Sequence, residues 1–182
     1  MAAKKTSEAS SSTSRWKYDV FLSFRGQDTR TNFTDVLFNW LDRDRILTFK
    51  DDVELNKGEN ISSELMAAIN GSRIAIIIFS ENYASSSWCL DELVKIFDCK
   101  KDGQLQKVLP VFYKVDPSDV RHQRNSYGKP FEGHEVRFKN EMERVEKWRA
   151  ALTNAANLSG WHHAKDGNGY VLIKSYFSFL FC

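Results

Sequence analysis

Cysteine is scarce in this chain of 182 residues: Cys89, Cys99 and Cys182 are an odd count with no paired spacing. That excludes a disulfide framework. The N-terminus also lacks the apolar core of a secretory signal, so a reducing compartment is expected, the cytoplasm or the nucleus. No apolar run reaches the roughly 20 residues of a membrane span. An excess of one charge is missing as well. The 26 Lys and Arg against 24 Asp and Glu leave +2, which is no basic footprint and argues against nucleic acid as a partner. Neither G-x-G-x-x-G nor a Walker A motif is present, which speaks against a dinucleotide-binding dehydrogenase or a P-loop nucleotidase. His162 and His163 adjoin Trp161, and Cys89 and Cys99 stand apart from them. None has metal-ligand spacing, so no metal site is expected. There is no internal repeat.

What is present is an alternation of two periodicities. Strand patterns cover Tyr18–Phe24, Ile46–Lys50, Arg73–Phe79, Lys107–Val115 and a short Leu158–Trp161. Between them, Phe33, Val36, Leu37, Trp40 and Leu41 recur at helical spacing, as do Ile61, Leu65, Ala68 and Ile69. Trp88 to Lys100 and Glu141 to Asn157 read as helices, and a looser segment from Pro130 to Lys139 holds a shorter one. Strand–helix alternation predicts a parallel sheet with right-handed crossovers. The run Ile74 to Phe79 is apolar without interruption, as in a strand covered on both faces. Residues 1–15, rich in Ser, Thr and Lys, have nothing to bury and are read as disordered. One domain is expected over 16–166. An apolar segment, 167–182, follows; it packs on the domain, pairs with a partner, or is an appended or truncated end.

Parallel sheets bind ligands at the carboxyl ends of their strands. Those ends carry the unusual residues here: Ser23-Phe-Arg25-Gly26-Gln-Asp28-Thr-Arg30, then Asp51 to Glu59, then Ser80 to Ser87, then Asp116 to Arg121. Arginine supplies planar donors for phosphate. Gly26 lets a backbone come close, and Trp88 offers a face for stacking. At about 100° per residue, Cys89, Leu90, Leu93, Ile96 and Phe97 form the core stripe of the helix after the third strand. Asp91 falls opposite that stripe and reads as solvated. Glu92 lies on its border, about 40° from Trp88, where a carboxylate can be half desolvated and still reach a ligand. Cys89 reads as packing, Trp40 and Trp148 as core anchors, and Val36 as a core or interface residue.

Four segments carry a resemblance: Tyr18-Asp-Val-Phe-Leu-Ser-Phe-Arg-Gly26, Trp88-Cys-Leu-Asp-Glu-Leu93, Val111-Phe-Tyr-Lys-Val-Asp-Pro-Ser-Asp-Val-Arg121 and Leu158-Ser-Gly-Trp161. In this order and spacing they resemble the Toll/interleukin-1 receptor (TIR) domain of plant intracellular immune receptors, from about Lys17 to about Asp166. The resemblance implies an α/β, flavodoxin-like three-layer sandwich whose five parallel strands run in the order 2-1-3-4-5. It implies NAD⁺ as substrate and cleavage of the bond between nicotinamide and ribose on self-association. The family's catalytic glutamate falls on Glu92, and its neighbouring tryptophan and serine on Trp88 and Ser86. Its first-loop arginine and glycine fall on Arg25 and Gly26, and the next arginine on Arg30. The flexible loop is Asp51 to Asn60. Implied partners are further copies of this chain or other TIR domains, in defence signalling. A TIR used only as an interaction module is the alternative.

Two departures stand against that pattern. Many relatives carry His after Ser or Asp in the first helix, at a self-association contact, whereas Val36 follows Asp35 here. After Gly169 the chain also leaves the family pattern. Both suggest dependence on a partner TIR domain. A phosphoacceptor protein of the same fold would need an aspartate after the third strand, where Ser80 stands.

Overall fold

A computed structural model describes residues 15–50 and 63–163. The expected segment 1–15 (Arg15 apart), the loop Asp51 to Asn60 with Ile61, and the segment 167–182 lie outside the described residues.

Five strands form one parallel sheet: β1 (Tyr18–Phe24), β2 (Thr48–Lys50), β3 (Ser72–Phe79), β4 (Lys107–Tyr113) and β5 (Trp161–His163). Their order is β2-β1-β3-β4-β5, the one expected. Register places Val20 beside Ile74, and Ile76 beside Leu109. Strand side chains alternate between faces, so each apolar run splits into two sets. Val20, Leu22, Phe24, Ile74, Ile76, Ile78, Leu109 and Val111 meet Phe33, Leu37 and Leu41. Leu37 and Leu41 come from the helix α2 (Asp35–Arg43). Phe21, Ala75, Ile77, Phe79, Val108 and Phe112 face the other side. They are covered there by three helices, α3 (Ser63–Asn70), α4 (Ser87–Lys101) and α7 (Met142–Ala156). Burying each of these large apolar side chains contributes about 1.5–3 kcal/mol. Three short helices complete the order: α1 (Gly26–Thr29), α5 (Pro117–His122) and α6 (Lys129–Arg137). Between α1 and α2, Arg30–Thr34 widens into a π-helical turn.

Strand ends depart from the sequence expectation for local reasons. The fourth strand was expected to reach Val115, but Lys114 takes a left-handed φ of 58° and ends the ladder at Tyr113. The second begins at Thr48, after Arg45 turns at φ 61°. The fifth was expected over Leu158–Trp161 and instead starts at Trp161. Leu158 still bonds back to the Ala155 carbonyl at the end of α7. Gly160 precedes that strand because it presses on β4: a Cβ there would stand 2.5 Å from the Pro110 carbonyl oxygen and 2.6 Å from its Cγ.

Candidate active site

The carboxyl ends of β1 and β3 meet at the point where strand order reverses, the usual ligand crevice of an open parallel sheet. Two loops are latched there. Asp28 of α1 accepts from Ser80 Oγ at 2.6 Å and from the Asn82 backbone N–H at 2.9 Å. Arg25 returns the bond, with Nη1 donating to the Asn82 carbonyl at 2.6 Å and Nη2 to Gln27 Oε1 at 2.9 Å. Gly26 is buried and opens α1. Arg30 lies over the Phe24 ring, 5.2 Å from its centroid. Both arginines therefore stand at the rim, and both are braced by the protein itself. A cavity of about 290 Å³ opens beside the latch, lined by Asp28, Asn32, Ser80, Glu81, Asn82, Tyr113 and Lys114. Glu92 does not line it.

Beyond the latch, Tyr83–Ser85 makes a 3₁₀ turn that feeds α4. Ser86 is the N-cap of α4: its Oγ accepts from the Cys89 backbone N–H at 3.2 Å. Such caps satisfy a helix end that would otherwise lack partners. Trp88, in the first turn, is half-buried and packs on the core cluster of that face. The Cys89 thiol reaches the Phe24 carbonyl at 3.8 Å, which joins α4 to the end of β1. Tyr83 is wholly buried; its hydroxyl donates to the Cys89 carbonyl at 3.1 Å and accepts from Ser23 Oγ at 2.9 Å. Burial, followed by the charges of Cys89 and Glu92, pushes the Tyr83 phenol well above its usual range. The hydroxyl thus stays a proton donor at neutral pH, and the Glu92 carboxylate lies close enough to act on it.

Glu92 is in the second turn of α4 and only 3% exposed. The sequence placed it on the border of the core stripe, and the fold buries it further than that. Asp91 departs from its expected solvated state. It accepts from Arg144 Nε at 3.0 Å, from Arg144 Nη2 at 2.5 Å and from Trp148 Nε1 at 2.8 Å, because α7 packs on the helix face that the wheel assigned to solvent. Val36 is 49% exposed, so it is not a core residue. Trp40 packs at the edge of the α2 cluster, while Trp148 is a fully buried anchor as expected. Arg121 points away from the rim and donates to the Ala156 carbonyl at 2.7 Å.

Two residues of this region, and the role of a third, were not legible in the sequence. Tyr127 donates to the Ser80 carbonyl at 2.7 Å, and its phenol is also pushed well up, chiefly by burial. His134 bonds the Ala84 carbonyl at 2.8 Å. Asp28 was visible in the first loop, but its role depends on Ser80 and Asn82, more than 50 residues away. Each contact joins distant elements, so no local spacing announces it.

Known proteins resemble this chain over most of its length. The family model of the TIR domain matches residues 17–175. The TMV resistance protein N of Nicotiana glutinosa is 55% identical over 152 residues, covering 84% of this chain and 13% of the relative. The disease resistance protein RPV1 of Vitis rotundifolia is 54% identical over 172 residues, 91% of this chain and 12% of the relative. The chain thus spans about an eighth of the length of these relatives. Among solved structures, the TIR domains of the activated Roq1 resistosome, which recognises the pathogen effector XopQ, superpose with a TM-score of 0.81 at 48% identity. They cover 88% of this chain and 98% of that one. The RPS4 and RRS1 TIR heterodimer, at 18% identity and a TM-score of 0.53, shares the fold.

Proposed function

The chain belongs to the TIR domain family, and from that premise we propose that it cleaves the nicotinamide–ribose bond of NAD⁺ with Glu92 as the catalytic carboxylate. The observation that carries this reading is the 3% exposure of Glu92 at the carboxyl edge of the sheet. Taking a carboxylate out of water costs several kcal/mol, and a fold tolerates that where the charge has work to do. Nicotinamide is bound to ribose as a cation and leaves as a neutral base, so no strong general acid is required. The C1′–N bond breaks, its electron pair goes to the departing ring, and the ribose carbon takes on oxocarbenium character. A fixed carboxylate in a water-poor site stabilises that charge and holds the ribose hydroxyls. Water then bonds to C1′ and releases a proton, giving ADP-ribose. Capture by another nucleophile gives a cyclic or ribosylated nucleotide. Arg25, Gly26 and Arg30 form the phosphate side of the site, with Ser86 and Trp88 on the ribose and base side.

By analogy with the relatives named above, the setting is plant defence signalling through contact between TIR domains, in the cytoplasm or nucleus. Cys89 and Cys99, both buried free thiols, suit such a reducing compartment. Val36 on α2 and Leu47 just before β2, 49% and 57% exposed, are apolar residues that association would cover. That exposure also supports the second reading, a docking module without catalysis.

One experiment separates them. Concentrated protein is incubated with NAD⁺, and nicotinamide release is measured for wild type and Glu92→Gln, with thermal melts of both. Loss of about 10²–10³-fold at an unchanged melt is expected. Release by Glu92→Gln within tenfold of wild type leaves only the docking module.

A further inference from the structure

The turn that delivers α4 is held at alternate carbonyls. Ser80 accepts from Tyr127, Asn82 from Arg25, and Ala84 from His134 Nε2. Tyr127 and His134 reach it from 47 and 50 residues down the chain. His134, on α6, is 6% exposed. Its ring lies among Phe131, Phe138 and Trp148, with centroids 5.6, 6.1 and 5.2 Å away. A phenylalanine would fill that aromatic pocket without burying polar nitrogens, a burial that is unfavourable unless the nitrogens are bonded. What histidine adds is the Nε2–H bond to Ala84. A carbonyl can only accept, so that bond fixes the proton on Nε2.

The same ring touches a second tether. Trp148, packed edge-on to His134, donates to Asp91, the residue beside Glu92. One restraint therefore acts just before the first turn of α4, at Ala84, and another within the helix, at Asp91. Two restraints at different heights fix both the tilt and the rotation of a helix, whereas one leaves it free to roll. Glu92 rides in the second turn of α4, next to Asp91 and eight residues past Ala84.

We infer that His134 is a positioning residue for Glu92: by holding the Ala84 carbonyl while packing on Trp148, it sets the phase of α4 that aims the carboxylate. This rests on the catalytic reading of Glu92, and it predicts a residue remote from substrate that alters turnover more than stability. An ångström of misplacement in a reacting group can cost about 100-fold in rate.

The test uses the full chain with His134→Phe, which keeps a packed ring and loses the donor, and His134→Gln, which keeps an N–H at similar reach. Amide hydrogen exchange over residues 83–93, thermal melts, and kcat and KM for nicotinamide release are compared. For His134→Phe we expect exchange in that segment to quicken by about tenfold or more and kcat to fall by about tenfold or more. The melt should be lowered only by the few degrees that one lost buried hydrogen bond costs, with the chain fully folded at the assay temperature. His134→Gln is expected to restore both to within about threefold of wild type. Exchange and kcat within about twofold of wild type in His134→Phe would overturn the inference. So would losses in both variants that track the folded fraction alone. Should wild type release no nicotinamide, the catalytic reading of Glu92 fails, and the exchange comparison still decides whether His134 fixes the turn.

Discussion

Asp91 and Glu92 are adjacent acids with opposite expected behaviour, and removing Asp91 gives the larger effect on stability. In Asp91→Ala three donors lose their acceptor: Arg144 Nε, Arg144 Nη2 and Trp148 Nε1. The side chains of Arg144 and Asp91 are 20% and 16% exposed. Breaking a fully buried ion pair costs about 3–5 kcal/mol. Here water still reaches the guanidinium, and Arg144 Nη1 keeps Glu141 at 3.1 Å, so the ionic share is nearer 2 kcal/mol, about half the fully buried value. The Trp148 side chain is wholly buried, and an orphaned N–H there adds about 1–3 kcal/mol. The sum is about 3–5 kcal/mol, or a fall of roughly 6–20 °C in Tm for a chain of this size. Asp91→Asn keeps an oxygen that can accept from Trp148 while losing the charge, so it should recover about 1–2 kcal/mol of that loss. Urea and thermal unfolding followed by circular dichroism measure both variants. A loss below about 1 kcal/mol in Asp91→Ala, or equal losses in Ala and Asn, refutes the assignment of this carboxylate as the bolt between α4 and α7.

Three further outcomes follow from single contacts. Gly160→Ala drives a methyl into the Pro110 carbonyl and ring at 2.5 and 2.6 Å; we expect a loss of about 1–3 kcal/mol, read in the same melts, and no loss would mean that β5 docks otherwise. Ser86→Ala removes the cap on Cys89 N–H and should cost about 1 kcal/mol, whereas Ser86→Asn keeps the cap within a few tenths. If Ser86 also touches the nucleotide, Ser86→Asn will weaken NAD⁺ turnover without a change in melt. His134 has its pKa held below 6.5 by burial first and Arg137 second, against the opposing Ala84 bond and Asp91. Below about pH 6.5 the unfolded chain gains a proton that the native state resists, so stability is complete above that pH and falls as pH drops toward the lowered native value. Melts from pH 7.5 to 5.5 should show that decline, with a shallower slope in His134→Gln; identical slopes would mean that other groups drive it.

The sheet was legible in the sequence because its information is local. The apolar run Ile74 to Phe79 has no polar alternate, so it had to be covered on both faces, and β3 proves to be central. Strand ends were less legible. They are set by single backbone choices, such as the left-handed Lys114, and lysine as a residue type gives no sign of that geometry. Within the site, the positions of Trp88 and Glu92 on α4 followed from one helical register, whereas Ser86 was legible only through the family resemblance. The braces on the turn before α4 were legible in neither way: Tyr127, His134 and Asp28 bond Ser80, Asn82 and Ala84 from elements with no sequence relation to that turn.

The error at Asp91 shows where single-helix reasoning stops. A helical wheel assigns one buried stripe because it assumes one neighbour, the sheet. α4 has more, and α7 packs beside it on the same face of the sheet, so Asp91 is screened by Arg144 and Trp148. The same second neighbour bears on Glu92. Glu92, on the border of the stripe, is buried more deeply than a wheel drawn for one neighbour allows, and α7 is a neighbour that such a wheel leaves out. Loosening α7 should therefore expose Glu92 as well as Asp91. Comparing Asp91→Ala with wild type at low temperature, where both are folded, tests this: hydrogen exchange around Glu92 should rise together with that around Trp148. Exchange confined to Trp148 would mean that Glu92 owes its burial to the sheet side alone.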